Sequence, residues 1–223
     1  MEIRFDITSG DAVVLARFLR TLGDDEAGFA ELAQVAAADP GLAASILKLA
    51  NSSYYGLAGS VERLEFACAI VGILGLRSLT VAELARRQGP YPEGLAAFTT
   101  LLAAQMAERS PHTSVDPQVA LSTGLVATLG WILAAQQDPV GYATWHDLAL
   151  EDRRAFEVER WGRPLASLSQ EALRHWAFPE VILDAVGELD AAGDVSTLGR
   201  LLRESWRAAS ERLGPDGAML MSV

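Results

Sequence analysis

Few side chains in this chain are equipped for chemistry. Its histidines are His112, His146 and His175. None stands within a helical turn of another, whereas metal centres bring several His, Cys or carboxylate ligands together. His112 follows Pro111 in a polar loop, His146 sits beside Trp145 near a helix start, and His175 precedes Trp176 in an amphipathic helix. Those contexts suit surface, capping and packing roles. Ser52 and Ser53 have no general base near them in sequence, and a nucleophile needs one within hydrogen-bond reach. The single cysteine, Cys68, lies in the apolar run Phe66-Ala67-Cys68-Ala69-Ile70. It reads as a small buried hydrophobe, because reactive thiols occupy electropositive, partly open surroundings. There is no Gly-rich phosphate loop and no CxxC pair, and the carboxylates fall in caps and charged faces rather than in a catalytic pair. The expectation is no catalytic residue, no metal and no cofactor.

Composition narrows the classes further. The chain has 223 residues, half of them hydrophobic, enough for one large domain or two small ones with a sizeable core. No uninterrupted apolar run approaches the ~20 residues that span a bilayer. The start, Met1-Glu2-Ile3-Arg4-Phe5-Asp6, lacks the basic segment and apolar stretch of a signal peptide. The expected location is therefore cytoplasmic, without membrane insertion. Net charge is −11 and Lys48 is the single lysine. Sequence-independent nucleic-acid affinity comes from cations that neutralise phosphates, so no nucleic-acid partner is expected. The densest basic pairs, Arg86-Arg87 and Arg153-Arg154, read as solvated helix faces.

The elements that must position these residues read as helices. Ile3, Phe5 and Ile7 alternate with polar residues, which suggests a short extended segment over 1–9 with no partner strand. Helical spacing follows over 12–22 and 26–38, restarts at Asp39, and resumes after Ser60 as an N-cap, with Val61, Leu64, Ala67, Cys68 and Val71 inward. Gly72 and Gly75 mark a corner before a helix over 76–88. Gly89-Pro90-Tyr91-Pro92 cannot lie inside a helix. It divides an N-terminal lobe of about 10–89 from a C-terminal lobe of about 92–213, and its shortness argues for closely packed lobes of one domain. In the second half, helices are expected over 92–110, 119–137, from Thr144 or Asp147 to Trp161, then over 167–177, 179–190 and 195–213. The 119–137 helix is apolar almost all round, hence central, and ends at Asp138-Pro139. The helix ending at Trp161 is charged, hence superficial. Residues 214–223 read as a loose tail. The fold class is all-α, a bundle of about ten helices.

One stretch is more specific than the rest. Asp39 can cap a helix that Pro40 starts, and Leu42, Ile46 and Leu49 give it an apolar face. It exits through Asn51-Ser52-Ser53 into Tyr54, Tyr55 and Gly56. Two readings stand for this corner. It locks helices, or the two lobes, through buried hydrogen bonds; or its tyrosines form a contact surface for another protein. Asp39→Ala should cost about 0.5–2 kcal/mol through the lost cap, and Asn51→Ala more if Asn51 bridges buried backbone groups.

The span from Leu32 to Leu84 resembles the HDOD domain, a bacterial signalling module related to HD-type metal-dependent phosphohydrolases. Asp39-Pro40, Leu42-Ala43, Ile46-Leu47, the run from Leu49 to Gly56, Ala67-Cys68-Ala69-Ile70 and Leu74-Gly75-Leu76 carry the likeness. It continues more faintly to about Asp190, through Gly124-Leu125, Leu129-Gly130, Trp161-Gly162 and Trp176 to Glu180. The related hydrolases hold metal ions through a His-Asp pair and further histidines. Here the His-Asp place falls on Ala127-Thr128, the place after Trp161-Gly162 on Leu165, the early histidine on Thr100 or Leu101, and the late stretch on Gly187-Glu188-Leu189-Asp190. Alanine and leucine cannot ligate and threonine is a poor ligand; metal-assisted hydrolysis needs the metal. The resemblance therefore implies a non-catalytic module that regulates through a protein partner. Asp39, Pro40, Asn51, Ser52, Ser53, Tyr54, Tyr55 and Gly56 are its motif and candidate contact residues, and Ala127, Thr128 and Leu165 the remnant of the metal pocket. The alternatives are a degenerate phosphohydrolase and a small-ligand or cyclic-nucleotide sensor that reuses the pocket.

Overall fold

Aspartate followed by proline starts three helices in this chain. The carboxylate accepts from the free N–H groups of the first turn, and proline at the first helical position has no N–H to leave unpaired. Asp39 Oδ1 accepts from Leu42 N at 2.9 Å, Asp116 Oδ1 from Gln118 N and Val119 N at 2.7 and 3.3 Å, and Asp138 Oδ1 from Gly141 N at 3.1 Å. The computed structural model describes residues 3–4, 13–57, 59–87, 89 and 92–213, the side chains of Ser53 and Glu93 excepted. Its described secondary structure is entirely helical. The chain divides into two units, residues 7–88 and residues 89–223 together with 1–6.

In the N-terminal unit, α1 (Val13–Thr21), α2 (Phe29–Ala37), α3 (Pro40–Ala50) and α4 (Leu64–Arg87) enclose Leu15, Phe18, Leu32, Leu42, Ile46, Cys68 and Leu76. α4 receives both α2 and α3. It bends at Gly72, whose φ of 71° is a conformation glycine adopts without strain, whereas Gly75 stays helical. Burial pushes the Cys68 thiol up to about 11, in keeping with an inert packing residue. Two boundaries differ from expectation. α2 starts three residues late, because Asp24 holds Glu26 N and Ala27 N in a turn outside the helix. Ser60 is not an N-cap: its hydroxyl donates to Leu57 O, and α4 begins at Leu64.

The C-terminal unit contains α5 (Glu93–Arg109), α6 (Pro117–Val126), α7 (Leu129–Gln137), α8 (Pro139–Asp147), α9 (Leu150–Trp161), α10 (Leu165–His175), α11 (Glu180–Gly187) and α12 (Thr197–Leu213). α5 lies against α6 and α12, α7 against α10, and α10 against α11. Phe98, Trp131 and Trp206 stack in the core, with ring centroids 4.8 and 5.1 Å apart. The α5–α6 contact is backbone-close, since a Cβ on Gly124 would stand 2.5 Å from Ala103 Cα.

Several sequence expectations need correction here. The single helix over 119–137 is two, α6 and α7, broken at Ala127-Thr128. Asp138-Pro139 does not merely end a helix; it starts α8. The charged helix to Trp161 is α9, starting at Leu150, and it buries Arg153 and Glu157. Each basic pair turns one arginine into the protein, Arg153 in one and Arg87 in the other, instead of solvating both. Near the start of the chain, the N–H and C=O of Arg4 pair with the side-chain amide of Gln137, at 2.8 and 2.7 Å, where a strand would otherwise be needed. The rest of the expected extended segment, and the tail over 214–223, lie outside the described residues. Two segments, Leu64–Arg87 and Pro117–Gln137, are long and apolar enough to cross a membrane by length and composition, although no uninterrupted run suggested it. The second buries 83% of its apolar window inside the protein, as core helices do.

Candidate functional site

Asn51 closes α3 and turns the chain. Its Nδ2 donates to Leu47 O and Val61 O at 3.0 and 2.8 Å, and its Oδ1 accepts from Val61 N at 3.0 Å. One side chain thus satisfies both backbone groups of Val61, as a neighbouring strand would. Leu47 and Val61 both belong to the N-terminal unit, so this lock acts inside that unit. Ser53, Tyr54 and Tyr55 form a 3₁₀ turn, and Gly56 follows at φ 66°. The Tyr55 ring packs into the core, edge-on to Tyr54 at 4.6 Å, and burial raises its phenol well above the ordinary value. Ser52 Oγ and Tyr55 OH are buried without a hydrogen-bond partner among the described residues. Among the described residues no general base is bonded to Ser52. Asn51→Ala leaves the two backbone groups of Val61 unpaired, while Leu47 O keeps the Asn51 N–H, and is expected to cost about 2 kcal/mol, read as a lower urea midpoint at an unchanged m-value.

The other end of α3 is held from a distance. Arg87, in the last turn of α4, forks onto Asp39 with Nη1–Oδ2 at 2.5 Å and Nη2–Oδ1 at 2.9 Å. Arg87 also donates to Glu83 at 2.9 and 2.7 Å, and Glu83 holds Arg86 at 2.6 and 3.0 Å. Bidentate arginine–carboxylate bonds are among the strong ones. The Arg87 guanidinium, outweighing burial and helped by the Leu42 N–H, holds the Asp39 carboxyl down at about 2. Burial alone would raise Glu83, but the bonds from Arg86 and Arg87 win and its shift is downward. Gly41 makes the room, because a Cβ there would meet Arg87 Nη2 at 2.8 Å.

In the C-terminal unit, Ala127, Thr128 and Leu165 are fully buried. Thr128 Oγ1 pairs with Thr99 Oγ1 at 2.7 Å, and Thr99 also donates to Leu95 O at 2.9 Å. Ser169, on α10, bridges the α6–α7 break: its hydroxyl donates to Ala127 O at 2.8 Å and accepts from Gly130 N at 2.7 Å. Leu165 N donates to Glu157 Oε2 at 3.0 Å. Thr100 is exposed and donates to Ala96 O. In the late stretch, Glu188 accepts from Ser196, and Asp190 pairs with Arg154 at 2.6 Å while burial raises its carboxyl. A methyl group, an isobutyl group and a hydroxyl already in use do not fit a metal ion. Among the described residues no three His, Cys, Asp or Glu side chains come together to hold one. The histidines sit apart. His112 lies in a 3₁₀ turn after α5, His146 in the last turn of α8 rather than near its start, and His175 at the end of α10.

Two buried carboxylates of the C-terminal unit escaped sequence reasoning. Asp138 accepts from Arg160 at 2.6 and 2.8 Å and from Trp161 Nε1 at 3.0 Å, and the guanidinium holds its carboxyl down at about 2. Its Asp-Pro context, shared with Asp39, was the available signal. Glu157 accepts from Trp145 Nε1 at 2.7 Å as well as from Leu165 N, yet burial outweighs both bonds and lifts its carboxyl to about 6. Arg153 lies over the Trp145 ring at 4.6 Å and donates to the carbonyls of His146 and Leu148. Nothing in local sequence marks Glu157. Each carboxylate ties helices together through its own set of donors.

The HDOD domain family matches residues 11–191. Solved structures share the fold. An HDOD domain protein from Geobacter sulfurreducens is 19% identical, with 96% of this chain and 76% of that chain covered and a TM-score of 0.68. A Shewanella amazonensis protein, provisionally named a phosphohydrolase, is 21% identical over 92% of this chain and 82% of its own, with a TM-score of 0.69. The MmoQ response regulator of Methylococcus capsulatus is 22% identical over 93% and 91%, with a TM-score of 0.53. No curated protein matches the chain. The family match runs from before α1 to the end of the 3₁₀ turn after α11 and takes in the Asp39–Gly56 corner, the α6–α7 break and the Ser169 bridge: the chain belongs to the HDOD domain family.

Proposed function

We propose that this chain is a non-catalytic regulatory module of a bacterial signalling pathway, working in the cytoplasm through contact with a protein partner. One observation carries the reading. Ala127, Thr128 and Leu165, which the family resemblance aligns with the metal-ligand places of the related hydrolases, are each fully buried, with the threonine hydroxyl committed to Thr99. Hydrolysis of a phosphoester at neutral pH in such a fold relies on a metal to polarise the phosphoryl oxygen and activate water, and these residues offer neither ligand nor opening. A nucleotide sensor is less well supported for the same reason, because a ligand would have to displace packed side chains. The family's signalling character supports the regulatory role.

The test is metal content together with turnover. Purified protein equilibrated with Mn²⁺, Fe²⁺ and Mg²⁺ and then desalted is expected to retain substoichiometric metal. It should hydrolyse neither nucleotides, cyclic dinucleotides nor bis(p-nitrophenyl) phosphate above the buffer rate. Stoichiometric metal with chelator-sensitive turnover would overturn the reading.

A further inference from the structure

α8 carries apolar residues on its outer side as well as its inner one. Gly141, Tyr142 and Trp145 face the core. On the opposite side, Pro139, Val140, Ala143, Thr144, Asp147 and Leu148 line an open shelf of about 560 Å³. Val140 is 76% exposed, and Leu150, just beyond, is 45% exposed. The shelf is well anchored. Its first turn is pinned by Asp138, which holds Gly141 N, Arg160 and Trp161 together. Val140 on α8 and Leu150 at the start of α9 are exposed large apolar side chains at the two ends of this stretch, and exposed apolar side chains brought together mark contact sites more often than scattered ones do.

The rim decides what kind of partner fits. The Asp147 side chain is 87% exposed, and Glu151 and Asp152 stand exposed in the first turn of α9. The nearby arginines are already committed, Arg153 to backbone carbonyls, Arg154 to Asp190 and Arg160 to Asp138. Most of the chain's net charge of −11 falls in this unit. We infer that the α8 shelf docks an amphipathic, basic helix of a partner protein, an inference that rests on the regulatory reading above. Apolar side chains of that helix lie along Val140, Ala143, Leu148 and Leu150, small Ala143 and Thr144 let its backbone come close, and its lysines or arginines meet Asp147, Glu151 and Asp152. An anionic membrane surface meets repulsion at the same rim, and a second copy of this chain brings more acid to it.

A fluorescein-labelled synthetic helix with one leucine face and one lysine face serves as the probe, with the same peptide carrying glutamate for lysine as its control. Binding is read by anisotropy and located by amide shifts in ¹⁵N-labelled protein. The lysine peptide should bind with shifts concentrated over 139–152, weaken as salt is raised, and the glutamate peptide should not bind. Val140→Glu should weaken binding about tenfold, although its added negative charge alone would strengthen attraction for a cation. Val181→Glu, the same change at an exposed valine of α11, should leave it unchanged. Circular dichroism checks that both variants keep their helices. Absence of binding, binding indifferent to Val140→Glu, or shifts elsewhere would overturn the shelf, as would a dimer or an association with phosphatidylglycerol vesicles that Val140→Glu abolishes. The metal and turnover measurements decide the regulatory reading separately, so failure of one is not failure of the other.

Discussion

Gly130→Ala is expected to destabilise the protein by about 3 kcal/mol or more, at or beyond the upper end of ordinary overpacking. A Cβ at this position would stand 2.0 Å from Leu165 O, 2.9 Å from Ser169 N and 3.0 Å from Leu165 C. These are backbone atoms of α10, so no side chain can rotate away. Relief requires α7 and α10 to separate, which would also break the Ser169 bridge to Gly130 N and Ala127 O. Guanidinium unfolding should show the loss as a lower midpoint. Gly94 is the matched control. It lies in the first turn of α5 with nothing within 4 Å of its Cβ position, so Gly94→Ala should stabilise by up to about 1 kcal/mol through helix propensity. Equal effects at the two positions would show that the α7–α10 seam is looser than its geometry.

That seam bears on function. On the proposed reading, Leu165 and the Ala127-Thr128 break fall where the related enzymes would need ligands; here α7 and α10 come backbone-close at Gly130 and Leu165. Histidine and aspartate placed at Ala127 and Thr128 alone would put ionisable groups at fully buried positions. On that proposal the packing, as well as three residue identities, stands against a metal site.

The helical class, the Asp-Pro starts of α3 and α6 and the division near Gly89 were legible because each has a local cause in spacing, capping or proline chemistry. The α6–α7 break was not, since Val126-Ala127-Thr128-Leu129 contains no glycine or proline. It is tied by a serine on α10, 42 residues from Ala127. With that break unseen, Asp138-Pro139 looked like an end, and α8 with its outward shelf went unread. Arg86-Arg87 looked solvated because Arg87's partner lies 48 residues away. Glu157 looked like part of a charged surface because nothing local shows that Trp145 and Leu165 close over it. In each case the missing information was a long-range hydrogen bond, which periodicity cannot carry.

The second large effect is expected at Asp39, where the fold reverses the order anticipated from sequence. As a cap alone, Asp39 was worth less than Asn51. With Arg87 forked onto it in a largely buried setting, Asp39→Ala removes the cap and leaves the guanidinium with Glu83 as its remaining carboxylate, and should cost about 3 kcal/mol. Asp39→Asn keeps an N-cap acceptor for Leu42 N and loses the charge, so about half that loss is expected. The pH dependence separates the two terms. The Asp39 carboxyl is held at about 2 in the folded chain against an ordinary 3.8. Its ionic contribution is therefore complete above 3.8 and is lost as pH falls from there through about 2. Asp138, also held at about 2, adds to the same acid limb. In Asp39→Asn the limb should become shallower without vanishing, as urea midpoints from pH 2 to pH 6 would show; an unchanged limb would mean that the Arg87 fork contributes nothing. The corner from Asp39 to Gly56 is thus gripped at both ends, by Arg87 at its start and Val61 at Asn51. Asp39 and Asn51, bonded inward at the two ends of α3, act as scaffold for the N-terminal unit.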